Sequence, residues 1–448
     1  MNASANTASE NVAISDAEKQ KTLKKVVVSS FLGNFIEWFD YASYSYLATT
    51  LALVFFPGED KMVSTMMTFG VFALAFLVRP IGALFWGHMG DKRGRKWALA
   101  ISILLMSGAT FLIGCLPSYS VIGVLAPLLL LVLRMVQSFS ASGEYAGAST
   151  FIAEYAPKNR RGFYCSMVPA STAAGLLVGS LFATWMFNTF GAESAFVVDW
   201  GWRIPFLLAG PLGAITHYIR KHLEDSPIYE QMQANLDAMG LKSDERPIRT
   251  LFKNHFRVLL VSFGACVLNA VGFYAVLTYL PNYLEATLNY DAGQASIITT
   301  IVLIVYIAFI FGSGQISDKF GRKKMLIVAC VGFILFTVPA FWLLNTLDFT
   351  TILLVELMMC LLLTINDGTL ASYLCETFPT QVRYSGFALS FNLANALFGG
   401  SASYISFALI EVTGDAISPA YYMVFIALIA LVAMLVSHEH TGKDLSEV

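Results

Sequence analysis

Charge is scarce in this chain of 448 residues: Asp, Glu, Lys and Arg make up 13% of it, while 56% of its residues are hydrophobic. A soluble protein of this size carries about twice that share of charged residues. The composition therefore excludes a soluble globular protein and indicates a polytopic membrane protein whose surroundings are the lipid bilayer. The formal net charge of −2 at pH 7 identifies no partner, and nothing in the composition points to nucleic acid.

Motifs of enzymes and metalloproteins are also missing. None of the six histidines belongs to an H-E-x-x-H motif, and the chain has neither a G-x-S-x-G motif nor a P-loop. Its six cysteines have no C-x-x-C spacing, and most lie inside apolar runs, which is typical of small buried hydrophobic residues. We therefore expect no enzymatic activity, no drive by ATP, no bound metal and no cofactor.

The N-terminal segment has no basic region followed by a short apolar core, so we expect no cleaved signal peptide. Residues 1–23 are expected instead to form a disordered cytoplasmic tail, since their first part is rich in Ser, Asn, Ala and Glu. Lys21, Lys24 and Lys25 then precede the first long apolar segment.

Apolar runs of roughly 18 to 25 residues, the length that crosses a bilayer as a helix, recur along the rest of the chain. They predict an all-α membrane protein with 12 transmembrane helices. In the first half the predicted helices cover residues 26–52, 63–88, 97–116, 121–148, 163–189 and 202–220. In the second half they cover residues 256–281, 293–316, 324–345, 351–375, 384–410 and 419–437.

Positive charge is confined almost entirely to one side of these predicted helices. Of the 28 Lys and Arg, Arg79 and Arg134 fall within helices, and only Lys61 and Arg203 fall on the other side. By the positive-inside rule, we expect both termini in the cytoplasm. The predicted units are a six-helix bundle at 24–220, a cytoplasmic linker at 221–255 with an amphipathic piece around 228–236, a second six-helix bundle at 256–438 and a cytoplasmic tail at 439–448.

A charged loop between two apolar runs occurs twice. The stretch GHMGDKRGRK at 87–96 returns as GQISDKFGRKK at 314–324, with Gly, Asp, Gly, Arg and Lys at matching positions 227 residues apart. A second marker supports this register, because Glu154 and Arg161 match Glu376 and Arg383, which lie 222 residues further on. Two marker pairs in the same order and at nearly the same period indicate an internally duplicated protein.

These loops resemble the signature that the major facilitator superfamily carries between its second and third helices, and RMVQ at 134–137 resembles its fourth-helix motif. The resemblance implies two pseudo-symmetric six-helix bundles with the substrate site midway between them. Three further strings resemble the metabolite:proton symporter branch, which carries proline/betaine, citrate, shikimate and 2-oxoglutarate. They are GNFIEWFD at 33–40, DWGWRIPF at 199–206 and ANALFGG at 394–400.

Two acids, Glu37 and Asp40, lie about 18–22 Å into the first predicted helix, near the middle of the bilayer. Tyr41 and Tyr44 follow Glu37 at helical spacing, which gives this helix a polar and aromatic face. Because two nearby carboxylates cannot both ionise cheaply where the dielectric constant is low, Glu37 and Asp40 are candidates for the proton carrier. The alternative is a structural ion pair that holds the helices together.

Arg79 and Arg134 lie about 13 Å inside the second and fourth predicted helices, where a permanently charged guanidinium requires an anion. We expect them to pair with Glu37, Asp40 or Glu144 when the site is empty, and to lend one arginine to the carboxylate of a bound substrate. For Arg134 the resemblance implies a role in proton coupling. The candidates for proton coupling are Glu37, Asp40, Arg134 and Glu144.

Two acids of the second half, Glu356 and Asp367, lie eleven residues apart in the tenth predicted helix, share one face, and differ in depth, with Asp367 the deeper. Neutral residues of the seventh and eleventh predicted helices complete the proposed cavity; for each of these second-half residues the alternative is ordinary packing between helices. The candidates for substrate binding are Glu37, Asp40, Tyr41, Tyr44, Arg79 and Arg134 in the first half, and Asn269, Phe273, Tyr274, Asp367, Asn392 and Asn395 in the second.

The resemblance also implies that the repeated loops form a cytoplasmic gate. Asp91 would accept hydrogen bonds from the N-terminus of the facing eleventh helix and pair with a basic neighbour, and Asp318 would do the same in the other half. A plain orienting basic loop would explain the Lys and Arg, but not the repeated Gly and Asp. The predicted gate residues are Gly87, Asp91, Gly94, Arg95, Glu154 and Arg161, together with Asp318, Gly321, Arg322, Glu376 and Arg383.

The resemblance implies proton-coupled uptake of a small carboxylate-bearing metabolite across a bacterial inner membrane, by alternating access. Cations on one side of the site, with acids and aromatic rings on the other, favour a zwitterion such as proline, betaine or another amino acid. Symport of a di- or tricarboxylate with protons is the alternative, because the glycine-rich eleventh helix also resembles that of dicarboxylate carriers. An exporter of the same superfamily and a membrane sensor that does not transport are two further alternatives.

Overall fold

Helices provide the regular secondary structure throughout the part of the chain that the computed structural model describes, which is residues 16–58, 61–191, 193–239 and 247–446. No strand occurs within those ranges. Residues 1–15 of the predicted tail and residues 240–246 of the predicted linker lie outside the described residues.

Six long helical segments, numbered helix 1 to helix 6, occupy the first half. They are Asp16–Tyr46 continued by Ala48–Phe55 (helix 1), Lys61–Phe76 continued by Arg79–Arg93 (helix 2), Arg95–Cys115 (helix 3), Leu125–Ala141 continued by Glu144–Tyr155 (helix 4), Arg161–Cys165 continued by Met167–Phe190 (helix 5) and Arg203–Lys221 (helix 6). Short turns lie at Tyr119–Ile122, Lys158–Arg160 and Val197–Gly201.

Six further segments occupy the second half. They are Phe256–Tyr274 with a π-helical turn at Ala275–Tyr279 and Leu280–Ala286 (helix 7), Ala292–Phe320 (helix 8), Arg322–Leu344 (helix 9), Phe349–Thr377 (helix 10), Arg383–Ala394 with a π-helical turn at Asn395–Gly399 and Ala402–Thr413 (helix 11) and Ser418–Val436 (helix 12). Between the halves lie two short helices, Pro227–Ala238 and Pro247–Asn254.

Apolar length accounts for most of these segments. Among the described residues, ten helical segments are long and apolar enough to cross a membrane, and they correspond to helices 2–5 and 7–12. Helix 1, which carries Glu37 and Asp40, and helix 6 complete the predicted twelve. Large apolar side chains such as Leu77 (68% exposed) and Val432 (61%) point away from the protein, as residues that face lipid do. The predicted all-α membrane fold is confirmed.

Helix 1 begins well before its predicted start. Its first residue is Asp16, so residues 16–23 are helical and the expected disorder up to residue 23 is wrong for them. Residues 17–25 are mostly good helix formers, and Glu18 lies in the first turn, where a carboxylate interacts favourably with the helix dipole. Leu23 is buried against the bundle, which holds this extension in place.

Helix packing in the first half recurs in the second. Helix 1 contacts helices 5 and 6, helix 3 contacts helices 4 and 6, and helix 2 contacts helix 4. In the second half, helix 7 contacts helices 11 and 12, helix 9 contacts helices 10 and 12, and helix 8 contacts helix 10. Helix 2 packs against helix 11 and helix 5 against helix 8, so the two halves meet along these four helices.

Candidate functional site

The first embedded ion pair joins helices 1 and 2. Glu37 is 2% exposed, and Arg79 Nη2 donates a hydrogen bond to its Oε1. The guanidinium of Arg79 also lies 5.1 Å from the ring centre of Phe76 and 5.6 Å from that of Tyr41. Glu37 Oε2 accepts no hydrogen bond from any described residue. The pair is therefore buried among aromatic rings, with one carboxylate oxygen left over for a proton.

The second embedded ion pair joins helices 1 and 4. Arg134 Nη1 donates to Asp40 Oδ2 at 2.6 Å, and Gln137 Nε2 donates to the same oxygen at 2.5 Å. Gln137 also donates to Thr110 Oγ1 on helix 3, at 2.8 Å. The guanidinium of Arg134 lies 3.8 Å from the ring centre of Tyr44, which places a cation–π contact beneath the ion pair. This network links helices 1, 3 and 4.

Glu37 and Asp40 bind different arginines. A separation of three residues turns the second side chain by about 60° around the helix axis. That rotation directs Glu37 to helix 2 and Asp40 to helix 4, and each carboxylate meets its own arginine. Each acid is thereby paired with a cation of its own.

Of the three acids expected as possible partners of Arg79 and Arg134, Glu37 and Asp40 pair with them and Glu144 does not. Its partner is Arg220 near the end of helix 6, whose Nη1 donates to Glu144 Oε2 at 2.9 Å and whose Nη2 donates to Oε1. Arg220 also donates to the carbonyls of Leu99, at 2.8 Å, and Ser29, at 3.1 Å. Sequence reasoning missed Arg220 because it lies at the end of the sixth predicted helix, where it was counted with the basic residues of the following loop.

Asp367 differs from these acids because neutral groups surround it. It is 2% exposed and accepts hydrogen bonds from Asn269 Nδ2 on helix 7 and from the hydroxyl of Tyr306 on helix 8. No Lys, Arg or His within the described ranges forms an ion pair with it. Tyr306 was missed, since a tyrosine in an apolar helix carries no signal of its own. Glu356 is buried nearer the start of helix 10, and its Oε1 accepts no hydrogen bond from a described residue.

Aromatic rings bridge the two halves at two levels. Trp38 of helix 1 contacts helix 7, with ring centres 5.2 Å from Phe273 and 6.5 Å from Tyr274. Tyr145 of helix 4 stacks on Phe391 of helix 11, with ring centres 4.3 Å apart and planes parallel within 1°. Phe273 and Tyr274 were candidates for lining the cavity, and the structure places both against the first half.

The two asparagines of helix 11 bind backbone carbonyls. Asn392 Nδ2 donates at 2.8 Å to the carbonyl of Ser142, where helix 4 is interrupted, and at 2.9 Å to that of Ala388. Asn395 Nδ2 donates to the carbonyl of Phe391 within its own helix. Both amides are thereby engaged with backbone, Asn392 between the two halves and Asn395 inside helix 11.

At the end of the protein that carries the repeated loops, Asp91 of helix 2 meets the first turn of helix 11. Its Oδ1 accepts from the backbone N–H of Tyr384 at 3.1 Å, and Arg95 lies 3.5 Å from the same oxygen. Gly87 packs so closely on the backbone of Ser385 that a Cβ would come within 2.7 Å of its Cα. Gly94 adopts φ = 100° after helix 2, a conformation that glycine reaches without strain.

The second loop makes the equivalent contact, this time from an aspartate of the second half to a helix of the first half. Asp318 of helix 8 accepts from the backbone N–H of Gly162, at 2.8 Å, and from that of Phe163, at 3.0 Å, at the start of helix 5. Arg322 lies 2.7 Å from Asp318 and also pairs with Glu376, at 3.2 Å. Gly321 adopts φ = 99°, as Gly94 does in the first half.

Two buried ion pairs cross between the halves beside these loops. Arg383 of helix 11 binds Glu154 of helix 4 at 2.7 Å, and Arg161 of helix 5 binds Glu376 of helix 10 at 2.7 Å. Arg95 shares Glu154, at 3.2 Å. The predicted gate residues therefore form two clusters, one around Glu154 and one around Glu376, and each cluster joins the two halves at the end that carries the repeated loops.

Comparison with known proteins gives a consistent picture. The sequence profile described as Major Facilitator Superfamily matches residues 31–404. The glycine betaine/proline/ectoine/pipecolic acid transporter OusA of Dickeya dadantii is 39% identical over 427 residues, which cover 94% of this chain and 85% of the relative. The proline/betaine transporter of Escherichia coli K12 is 37% identical over 429 residues, again 94% of this chain and 85% of the relative.

Solved structures agree on the fold. The proton:xylose symporter XylE, determined with bound 6-bromo-6-deoxy-D-glucose, superimposes with a TM-score of 0.77 over 96% of this chain and 98% of that one. Its sequence is 18% identical, so this likeness concerns the fold alone.

Proposed function

The chain belongs to the Major Facilitator Superfamily, and from that premise we propose that it is a proton-coupled symporter that takes up a small zwitterion of the proline/betaine kind by alternating access. Its relatives in Dickeya dadantii and Escherichia coli carry names of transporters for such compounds. Like them, the chain is a multi-pass membrane transporter and not an enzyme.

One observation carries the choice of a zwitterion, which is the uneven distribution of charge across the centre. In the first half, the arginines Arg79 and Arg134 each bind one acid and keep further N–H groups, such as Arg134 Nη2, without an acceptor among the described residues. In the second half, Asp367 has only neutral donors. A substrate carboxylate suits the former and a substrate cation the latter.

Aromatic rings extend the same argument. Trp38, Phe273 and Tyr274 lie in contact at the junction of helices 1 and 7. Ring faces attract ammonium groups, including quaternary ones that donate no hydrogen bond. A betaine and a secondary amine such as proline therefore find the same two partners, an acid and a ring. A dicarboxylate would place a second negative charge near Asp367.

Proton coupling follows from the ion pairs on helix 1. A proton on Glu37 or Asp40 would neutralise the acid and free Arg79 or Arg134 for the carboxylate of the substrate. Loss of the substrate would leave the arginine without an anion and favour release of the proton, because an unpaired buried charge is costly. Binding of the proton to the acid and binding of the substrate to the arginine are thus coupled through one ion pair, as symport requires.

Alternating access would use the gate described above. This proposal is supported by Asp91, Glu154, Asp318 and Glu376, whose contacts join the two halves at the end proposed to face the cytoplasm. Opening to the cytoplasm would require the two bundles, proposed at residues 24–220 and 256–438, to separate there and close on the other side. We further propose a bacterial inner membrane as the location, with the linker and both termini in the cytoplasm, from the distribution of Lys and Arg.

A competition assay tests the substrate class. Purified protein in proteoliposomes would take up labelled proline while unlabelled proline, glycine betaine, succinate, citrate or 2-oxoglutarate is added at a hundredfold excess. The account expects the zwitterions to compete and the organic acids not to. Competition by organic acids alone would favour the dicarboxylate alternative, and the absence of any transport would favour a sensor.

A further inference from the structure

The segment that follows helix 12 lies across the cytoplasmic gate. This segment, residues 437–446, is called the strap here. It is anchored at the start of helix 9, where the backbone N–H of Lys323 donates to Glu439 Oε2 at 3.0 Å and that of Arg322 donates to Thr441 Oγ1 at 2.9 Å. Further along, the side chain of Leu445 is fully buried. An exposed tail would bury no leucine, so the strap is part of the packed structure.

Both ion pairs that cross between the halves also touch a carbonyl of the strap. Arg383 Nη1 donates to Glu154 of the other half, while its Nη2 donates to the carbonyl of Leu445 at 2.7 Å. Arg161 Nη1 donates to Glu376, and also to the carbonyl of Lys443 at 3.4 Å. Because one guanidinium serves both acceptors, the strap fixes the orientation of each arginine that reaches across.

The strap also contacts the first half directly. Lys158, in the turn before helix 5, lies 2.5 Å from Asp444 Oδ2. The hydrogen bond from Lys158 holds the pKa of Asp444 well below its usual range, so this carboxylate is ionised at neutral pH. The pair is partly exposed to water and contributes little on its own. Burial of Leu445 supplies the larger part of the attachment.

The start of the linker occupies the equivalent place in the first half. Asp225 accepts from the backbone N–H groups of Arg95, at 3.1 Å, and Lys96, at 3.3 Å, at the start of helix 3. Glu439 does the same for helix 9. The hydroxyl of Ser226 in turn donates to Glu154. The strap differs in that it reaches across to Lys158 and Arg161 of the other half.

We propose that the strap is a latch of the cytoplasmic gate, which stabilises the closed state and must leave the first half before the protein opens to the cytoplasm. It touches neither Glu37 nor Asp367, so its effect is on the balance between states and not on substrate recognition. This inference goes beyond the proposed function, and it holds whichever solute the protein carries.

Distances between spin labels test the latch. Labels are attached to p-acetylphenylalanine introduced at Lys92 and Lys319, which are exposed at the cytoplasmic ends of helices 2 and 8, so the native cysteines stay unchanged. The full chain in lipid nanodiscs, without substrate, is measured by double electron–electron resonance. Leu445→Asp should raise the ratio of long to short distances by about tenfold, the factor expected when a buried leucine loses its contacts in one state. His438→Ala, at an exposed position whose side chain makes none of the contacts described above, is the control and should match the wild type.

Exchange of the charges at Lys158 and Asp444 provides a second, independent test of the latch. Asp444→Lys should move the ratio in the same direction by about threefold, as expected for a pair at the surface. The double exchange Lys158→Glu with Asp444→Lys should restore the wild-type distribution. If Leu445→Asp folds poorly, the charge-exchange variants still test whether the strap is a latch. Wild-type distance distributions for Leu445→Asp, or for Asp444→Lys, would overturn the proposal, as would a double exchange that restores nothing.

Discussion

Ser385 on helix 11 donates two hydrogen bonds to Asp91 on helix 2, one from its backbone N–H at 2.8 Å and one from its hydroxyl at 2.6 Å, both to Oδ2. One carboxylate therefore caps the first turn of a helix that belongs to the other half of the protein. Hydrogen bonds to a charged acceptor, aided by the dipole of helix 11, stabilise this contact. In the proposed transport cycle, this contact exists only while the cytoplasmic gate is closed.

Asp91→Asn should slow transport more than it weakens substrate binding. The amide keeps the size of the side chain but loses the negative charge that caps helix 11. We therefore expect the closed state to lose about 1–3 kcal/mol of stability relative to the open state. Turnover and the dissociation constant of the substrate are measured in parallel. Lys92→Gln, an exposed change in the same loop, is the control. Equal turnover in both variants would reduce the loop to an orienting role.

Neutralisation of the helix 1 acids should uncouple transport. With Glu37→Gln or Asp40→Asn, accumulation against a gradient should be lost, while exchange of labelled for unlabelled substrate survives in at least one variant. Removal of one partner of a buried ion pair costs about 3–5 kcal/mol, so the melting temperature must be measured alongside. Glu285→Gln, exposed at the end of helix 7, serves as control. Proton-driven accumulation in both variants would show that neither acid carries the proton.

Asp367→Asn should weaken the binding of zwitterions. The change removes a buried negative charge while it keeps a group that Tyr306 and Asn269 can still contact. We expect KM for proline or betaine to rise about tenfold to a hundredfold, as for loss of a charged hydrogen bond. Tyr306→Phe keeps the acid and should raise KM less. An unchanged KM in Asp367→Asn would remove this acid from the substrate site.

Orientation can be checked by labelling in intact cells. Cysteines introduced at Lys92 and Lys319 should react only with reagents that reach the cytoplasm, and one introduced at Lys61 should react from outside. The reason is the concentration of Lys and Arg on one side of the predicted helices. Reaction of the Lys319 position with an impermeant reagent added outside would contradict the arrangement of two equally oriented bundles.

Much of the fold follows from local signals in the sequence. Twelve apolar runs predict the helices, because a span needs about 20 apolar residues wherever it lies. The repeated glycines and aspartates also point to the gate, since Gly94 and Gly321 need the same backbone conformation and Asp91 and Asp318 cap helices of the opposite half. The functional roles of these residues stay predictions until they are measured.

Side-chain pairing across helices could not be predicted in the same way. Glu37 and Asp40 are three residues apart, yet the rotation of helix 1 sends them to different arginines. The bond between Glu144 and Arg220 depends on how helix 6 packs between helices 1 and 3. The strap was expected to be a plain cytoplasmic tail, because the burial of one leucine leaves no pattern in a short polar segment.

The most direct test of the central claim is a measurement of proton movement during uptake. Proteoliposomes that contain a trapped pH indicator would be given an alkaline interior, and labelled proline or glycine betaine would be added outside. The account predicts that the zwitterion accumulates above its external concentration only when the pH gradient is present, and that its entry acidifies the interior with or without that gradient. Entry of the zwitterion that stops at equal concentrations and moves no protons would contradict it.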